Sequence, residues 1–85
     1  MNDEIDMHLA KAIADVAVFL EFSPEDVLDP DASVGAMEQL AAELQLMDSS
    51  RKASLAKHWA LLADEHQGDQ AEFVRNLANS FGLTS

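Results

Sequence analysis

The stretch "FSPEDVLDPDASVGAMEQL", residues 22–40, contains two prolines and five acidic residues, four of which precede the apolar repeat that begins at Val34. Proline fits the first turn of a helix and disfavours the helical region for the residue before it. Ser23 and Asp29 each precede a proline, and both are residue types that cap helix N-termini. The stretch therefore predicts two closely spaced helix starts: a single turn after Ser23 and a long helix after Asp29.

Apolar residues at three- and four-residue spacing predict helices on both sides of this stretch and no strand. The first helix is predicted over residues 3–22, with an apolar stripe of Ile5, Leu9, Ala12, Ile13, Val16 and Leu20. Its second half is apolar nearly all round, which predicts a central position or a cover supplied by another chain. The second helix is predicted to end at Asp48 and to present Val34, Met37, Leu40, Ala41, Leu44 and Met47 on one face, with Glu38, Gln39 and Glu43 pointing away.

Two more helices are predicted downstream. One is capped by Asp48 or Ser49, buries Leu55, Trp59 and Leu62, and ends at Gly68 as a left-handed cap. The last is capped by Asp69 together with Glu72, ends at Gly82, and carries Phe73, Val74, Leu77, Ala78 and Phe81. The predicted fold class is all-α, a compact bundle of four main helices with a short extra turn between helices one and two. Residues 1–85 are predicted to form a single helical domain.

The charge balance limits the function. Sixteen Asp and Glu against five Lys and Arg give a formal net charge of −11. Nucleic-acid affinity is built from Lys and Arg on phosphates, so no nucleic-acid partner is expected. Basic protein surfaces are attracted instead. The apolar runs are too short to cross a bilayer and the amino end is acidic, so we expect no membrane partner and a cytoplasmic location.

The sequence offers no set of residues for catalysis or for a cofactor. It has no cysteine, and none of its three histidines has a second one four residues away. Residues 29–40 begin like a calcium loop, but Val34 and Leu40 stand where that loop needs glycine and glutamate. We therefore expect no enzyme activity, no catalytic residues, no metal and no cofactor.

A protein-binding surface is the remaining prediction. It lies near the connection between helices one and two, where acidic residues surround two aromatic side chains. The alternative role of the acids is helix capping, and that of the aromatics is the core. The candidate partner-binding residues are Phe19, Glu21, Phe22, Glu25, Asp26, Asp29 and Asp31.

Several segments carry a family resemblance: Asp29-Pro30-Asp31, Met37-Glu38, residues 40–44, the helix over residues 55–65 and the closing "EFVRNLANSFGL". Together they resemble small acidic helical bacterial proteins of toxin–immunity type. Immunity proteins bind and block a cognate toxin, so the resemblance implies a bacterial toxin as the protein partner, and the charge balance favours a basic one. It implies no particular functional residue.

Two alternatives stay open beside a toxin partner. One is a homodimeric structural or regulatory protein, in which the extra apolar surface of helix one pairs with its own copy. The other is an adaptor that binds an amphipathic helix in a groove, for which Met7, Met37 and Met47 suit an adaptable surface.

Overall fold

The computed structural model describes residues 5–83, which contain five α-helices and one short 3-10 helix and no β-strand. The radius of gyration is 12.8 Å, close to the roughly 12 Å expected for a compact chain of this length. No helix in the described part is long and apolar enough to cross a membrane. The all-α class is confirmed. The elements are α1 (Met7–Phe22), α2 (Pro30–Gln45), α3 (Ser49–Leu62), the 3-10 helix Ala63–Glu65, α4 (Gly68–Arg75) and α5 (Leu77–Ser80).

Aspartates cap the first three helices. The Asp6 carboxylate accepts hydrogen bonds from the backbone N–H groups of His8 and Leu9 at the start of α1. The predicted start at residue 3 lies outside the described residues. Asp29 caps α2 as predicted, and of the two predicted candidates for α3 the cap is Asp48 and not Ser49; each aspartate accepts from a backbone N–H three residues later. These caps satisfy donors that the helices themselves leave unpaired.

The prediction that Ser23 is an N-cap is wrong, because Ser23 is the C-cap of α1. The Ser23 hydroxyl donates back to the Phe19 carbonyl and ends α1, whereas an N-cap would accept from the residues that follow. The extra turn itself is confirmed, since the N–H groups of Val27 and Leu28 both donate to the Pro24 carbonyl. A serine hydroxyl can satisfy either helix terminus, so its residue type alone does not choose between them.

Other helix ends also differ from the predictions. α2 ends at Gln45, three residues before the predicted Asp48. Gly68 has a positive φ of 60°, but it begins α4 and does not close α3. No side chain caps α4, so the predicted capping bond from Asp69 is absent there.

The predicted last helix is two helices separated by Asn76. The Asn76 side chain donates to the Glu72 carbonyl, which already receives the Asn76 backbone N–H. Such local side-chain bonds compete with helical geometry. Gly82 ends α5 as predicted: its φ is 72°, and Leu83 N–H donates to the Ala78 carbonyl, a bond typical of a left-handed helix end.

The core combines buried side chains of α1, α3, α4 and α5 with Leu44 of α2, and Trp59 is the largest of them. α1 buries the small side chains of Ala10, Ala14 and Ala17. Trp59 of α3 is fully buried, and its indole N–H donates to the Ala10 carbonyl at 3.0 Å. The alanine face lets this large ring approach the α1 backbone closely.

The predicted apolar stripe of helix one is therefore not its buried face. Leu9 is 53% exposed and Val16 is 52% exposed, and Ala12 is exposed as well. Ile5 and Ile13 are only partly buried and pack at the edge of the core. The alanines of α1 are buried because their small side chains fit against Trp59. Leu9 and Val16 stay exposed although leucine and valine are more hydrophobic than alanine.

Three contacts relate the first three helices. Ser54 and Trp59 of α3 bond to Ile5, just before α1, and to Ala10 in the same order along the chain, so α3 runs parallel to α1. Ser33, near the start of α2, donates to the Leu20 carbonyl near the end of α1 and holds these two helix ends together. Leu44 is the one buried residue of α2, and this sparse packing leaves part of its apolar face open.

Candidate docking surface

The predicted partner-binding residues lie at one corner of the fold, formed by the end of α1, the turn after it and the start of α2. We call this set the α1–α2 corner. All of its side chains are exposed: Phe19, Glu21, Phe22, Glu25, Asp26, Asp29 and Asp31.

The acids of the corner differ in what they do for the fold. Asp29 holds the first turn of α2, with its carboxylate 3.1 Å from the Ala32 nitrogen. Asp31 lies in that first turn, where a negative charge complements the helix dipole. Glu25 and Asp26 lie on the turn between the helices. Within residues 5–83 no hydrogen bond or ion pair engages their side chains, so their charges are available to a partner.

The two aromatic residues are also placed differently. Phe19 is 53% exposed and projects from α1 outside the buried core. Phe22 is 40% exposed, and its ring meets that of Phe73 edge to face, with the centroids 5.5 Å apart. Such pairs are stabilising. Phe22 therefore connects α1 to α4, and only the face of its ring away from Phe73 is accessible to a partner. Phe19 is more exposed and can be covered by another molecule.

A groove of about 240 Å³ opens beside the corner, between α1, α2 and α5. We call it the α2 groove. Phe81 forms its buried floor, and Val34 is an exposed part of its wall. Glu21 belongs to both the corner and the groove. The residues lining the groove are Glu21, Ser33, Val34, Met37, Glu38, Ala41, Ser80 and Phe81.

The sequence does not predict this groove. Its periodicity places Val34, Met37 and Ala41 together on the apolar face of the second helix and Glu38 away from that face. The small Ala41 beside the larger Val34 and Met37 is a local sign of a depression. The floor comes from Phe81, forty residues further along the chain, and no local pattern reveals it.

The corner and the α2 side of the groove belong to a stretch of sequence whose formal charges are all negative. No Lys or Arg occurs between residues 12 and 50, a span that contains nine Asp and Glu. The basic residues are Lys11, Arg51, Lys52, Lys57 and Arg75. A partner that approaches the end of α1 and the exposed face of α2 therefore meets carboxylates and apolar side chains.

The pKa of Asp48, the N-cap residue of α3, is lowered by local hydrogen bonds. The backbone N–H of Arg51 and, less strongly, the hydroxyl of Ser50 donate to the Asp48 carboxylate. These bonds lower the Asp48 pKa from its ordinary 3.8, because they stabilise the charged form.

A second, smaller cleft lies against α1, beside the end of α3 and the 3-10 helix. It has a volume of about 80 Å³, lies beside Lys11, Asp15 and His66, and is lined mostly by polar groups. Within residues 5–83 no three His, Asp or Glu side chains are placed to hold a metal ion.

Comparison with protein-family models, curated proteins and solved structures finds no match to this chain. The fold and the surface therefore define its class by themselves: an all-α chain with an anionic corner and an adjoining apolar groove.

Proposed function

We propose that this chain is an acidic protein-binding module that docks through the α1–α2 corner onto a basic partner protein. The observation that carries the proposal is the 53% exposure of Phe19 at the end of α1, followed on the next turn by the exposed carboxylates of Glu25 and Asp26. Interfaces typically combine large apolar anchors with a polar rim. In this proposal Phe19 is the apolar anchor and contributes affinity, and the carboxylates of the corner contribute charge complementarity to a basic surface.

The corner is suited to fast association with a positively charged surface. Glu25 and Asp26 project from a turn that two backbone hydrogen bonds fix to the Pro24 carbonyl. Fixed surface charges raise the rate of encounter with an oppositely charged protein. The specific form of the proposal is an immunity-type protein that blocks a bacterial toxin. If that toxin acts on a polyanion, the acidic corner competes with the natural substrate for the same basic residues.

The test begins with isolation of the partner from lysate of the source cells at low salt, followed by binding kinetics on the purified pair. Glu25→Lys and Asp26→Lys are each compared with Glu43→Lys, which changes the net charge equally. Glu43 lies about 20 Å further along α2, at 1.5 Å per residue from the helix start. Each corner variant is expected to slow association several-fold, while Glu43→Lys has a smaller effect and circular dichroism stays unchanged.

Two results contradict the proposal. One is an association rate that the corner variants do not change. The other is binding that persists undiminished at about 1 M salt, where the Debye length is only about 3 Å. Blocking of a toxin is checked separately, by measuring the activity of the isolated partner with and without this chain.

A second candidate function is self-association through α1. It is favoured by the exposed apolar side chains of Leu9, Val16 and Phe19, which lie on the opposite side of α1 from the buried alanines. Light scattering on the purified chain tests it. A dimer that Val16→Lys dissociates supports this candidate, and a monomer at every concentration tested contradicts it.

A further inference from the structure

We infer that the α2 groove receives apolar side chains from a basic amphipathic helix of the partner, and that the partner's flanking Lys or Arg side chains pair with Glu21 and Glu38. The inference rests on the proposed function, because it specifies which part of a basic protein partner this chain recognises. It adds the groove to the α1–α2 corner as a second contact region.

The interior of the groove is mainly apolar, and two of its polar groups are already engaged in hydrogen bonds. The Ser33 hydroxyl donates to the Leu20 carbonyl. The Phe81 carbonyl accepts from the Gln45 side chain at 2.6 Å. What remains toward the opening is hydrocarbon and thioether from Val34, Met37 and Ala41. Such walls favour an apolar group, since a polar one loses its water without gaining a partner.

The same hydrogen bonds make the groove a preformed feature. The Ser33 bond holds the start of α2 to the end of α1, and the Gln45 bond holds the end of α2 to the end of α5. The walls on both sides are therefore fixed to one another. A preformed groove loses less conformational entropy on binding than one that must order first.

The rim of the groove determines the charge of the occupant. Glu21 and Glu38 are exposed members of its lining, one on α1 and the other on α2. Every other lining residue is uncharged. A ligand that fills the groove brings its flanking groups next to these two carboxylates, so positive flanks are attracted and negative ones are repelled.

Size and shape indicate a helix as the occupant. The groove volume of about 240 Å³ is below the roughly 300–1,000 Å³ of small-molecule sites. The common docking mode of an extended peptide adds a strand to an exposed sheet edge, and residues 5–83 have no strand. Proline-rich peptides dock in grooves lined by several aromatics, whereas Phe81 is the one aromatic lining residue here. A helix that inserts side chains at three- and four-residue spacing is the remaining common mode.

The inference is tested with a fluorescein-labelled synthetic peptide of about 18 residues, or roughly five helical turns. Its leucines occupy one helical face and its lysines flank that face. A scrambled peptide of identical composition measures attraction by charge alone. Binding to the wild-type chain and to four variants is followed by fluorescence anisotropy. Ala41→Phe fills the groove, and Ala42→Phe adds the same ring at an exposed neighbouring position. Glu38→Lys reverses a rim charge, and Glu43→Lys reverses a charge outside the groove.

We expect the ordered peptide to bind more tightly than the scrambled one. Ala41→Phe should weaken it by about 10- to 150-fold, the loss that corresponds to one large apolar side chain left unburied. Ala42→Phe should change the affinity by less than about twofold by comparison. Glu38→Lys should weaken binding more than Glu43→Lys does. Glu38 is exposed, so this pair remains informative even if Ala41→Phe perturbs folding.

Three outcomes overturn the inference. If both peptides bind alike and Ala41→Phe has no effect, the groove is not the site, and the charge-based proposed function stands without it. If neither peptide binds the wild-type chain at low salt, the proposed function fails too. If light scattering shows a wild-type dimer that Ala41→Phe dissociates, the occupant of the groove is a second copy of this chain.

Discussion

Replacement of Trp59 by phenylalanine tests the central packing of the fold. The indole is fully buried, donates a hydrogen bond to the Ala10 carbonyl and meets the Phe81 ring edge to face at 5.7 Å. Loss of one buried hydrogen bond costs about 1 kcal/mol. The smaller ring leaves unfilled space against the alanine face of α1, which adds about 1–2 kcal/mol. The expected decrease in the free energy of unfolding is therefore about 2–3 kcal/mol.

That loss is a large share of the total, because a chain of this length has a stability of about 4–13 kcal/mol. Urea unfolding should be followed by far-ultraviolet circular dichroism, since Trp59 is the only tryptophan and the variant lacks its fluorescence. Leu61→Ala is the matched control: it changes an exposed residue two positions away on α3 and should cost less than about 1 kcal/mol. A decrease below about 1 kcal/mol for Trp59→Phe would refute the placement of Trp59 as the main contact between α1 and α3.

Two further predictions concern a helix start and a helix end. Because the folded-state pKa of Asp48 is lowered, its ionised form stabilises the fold above the ordinary pKa of 3.8, and this contribution is lost as the pH falls through the lowered value. Asp48→Asn keeps a capping acceptor without the charge, so the difference in urea midpoint between wild type and variant should shrink from pH 7 to pH 3; a constant difference contradicts the assignment. Gly82→Ala should lower the free energy of unfolding by about 1 kcal/mol or more, because φ is 72° and a Cβ there lies 2.9 Å from the Gln45 amide nitrogen. Gly35→Ala, at a position with open space, should be neutral or slightly stabilising by the same urea measurement.

Local chemistry explains which parts of the fold could be predicted from the sequence. Asp29, Asp48 and Gly82 act within four or five residues of their own position, and their roles were predicted correctly. Ser23 was assigned to the wrong helix, since its hydroxyl can bond forward or backward with equal chemistry. The break at Asn76 was missed for a similar reason, because a side-chain bond to a helical carbonyl is visible only once the chain has folded.

Burial on α1 could not be predicted from hydrophobicity alone. The sequence gives α1 two apolar faces, one of alanines and one with Leu9 and Val16. The fold buries the alanine face, because only small side chains admit the Trp59 ring beside the α1 backbone. The α2 groove also depends on contacts between residues far apart in the sequence. Periodicity predicts that Val34, Met37 and Ala41 share one face of α2, but the position of Phe81 beneath them depends on how α5 packs.

The net charge of −11 separates the two modes of association by the sign of their salt dependence. A basic partner gains attraction from the carboxylates of the α1–α2 corner, and added salt screens that attraction and weakens the complex. Two copies of this chain repel each other, so added salt screens the repulsion and strengthens a dimer formed through Leu9, Val16 and Phe19. Apolar burial is almost unaffected by screening, and burial of Phe19 contributes to both modes. A salt titration of each equilibrium, with Phe19→Ser as the variant that weakens both, therefore distinguishes the contribution of charge from that of the apolar anchor.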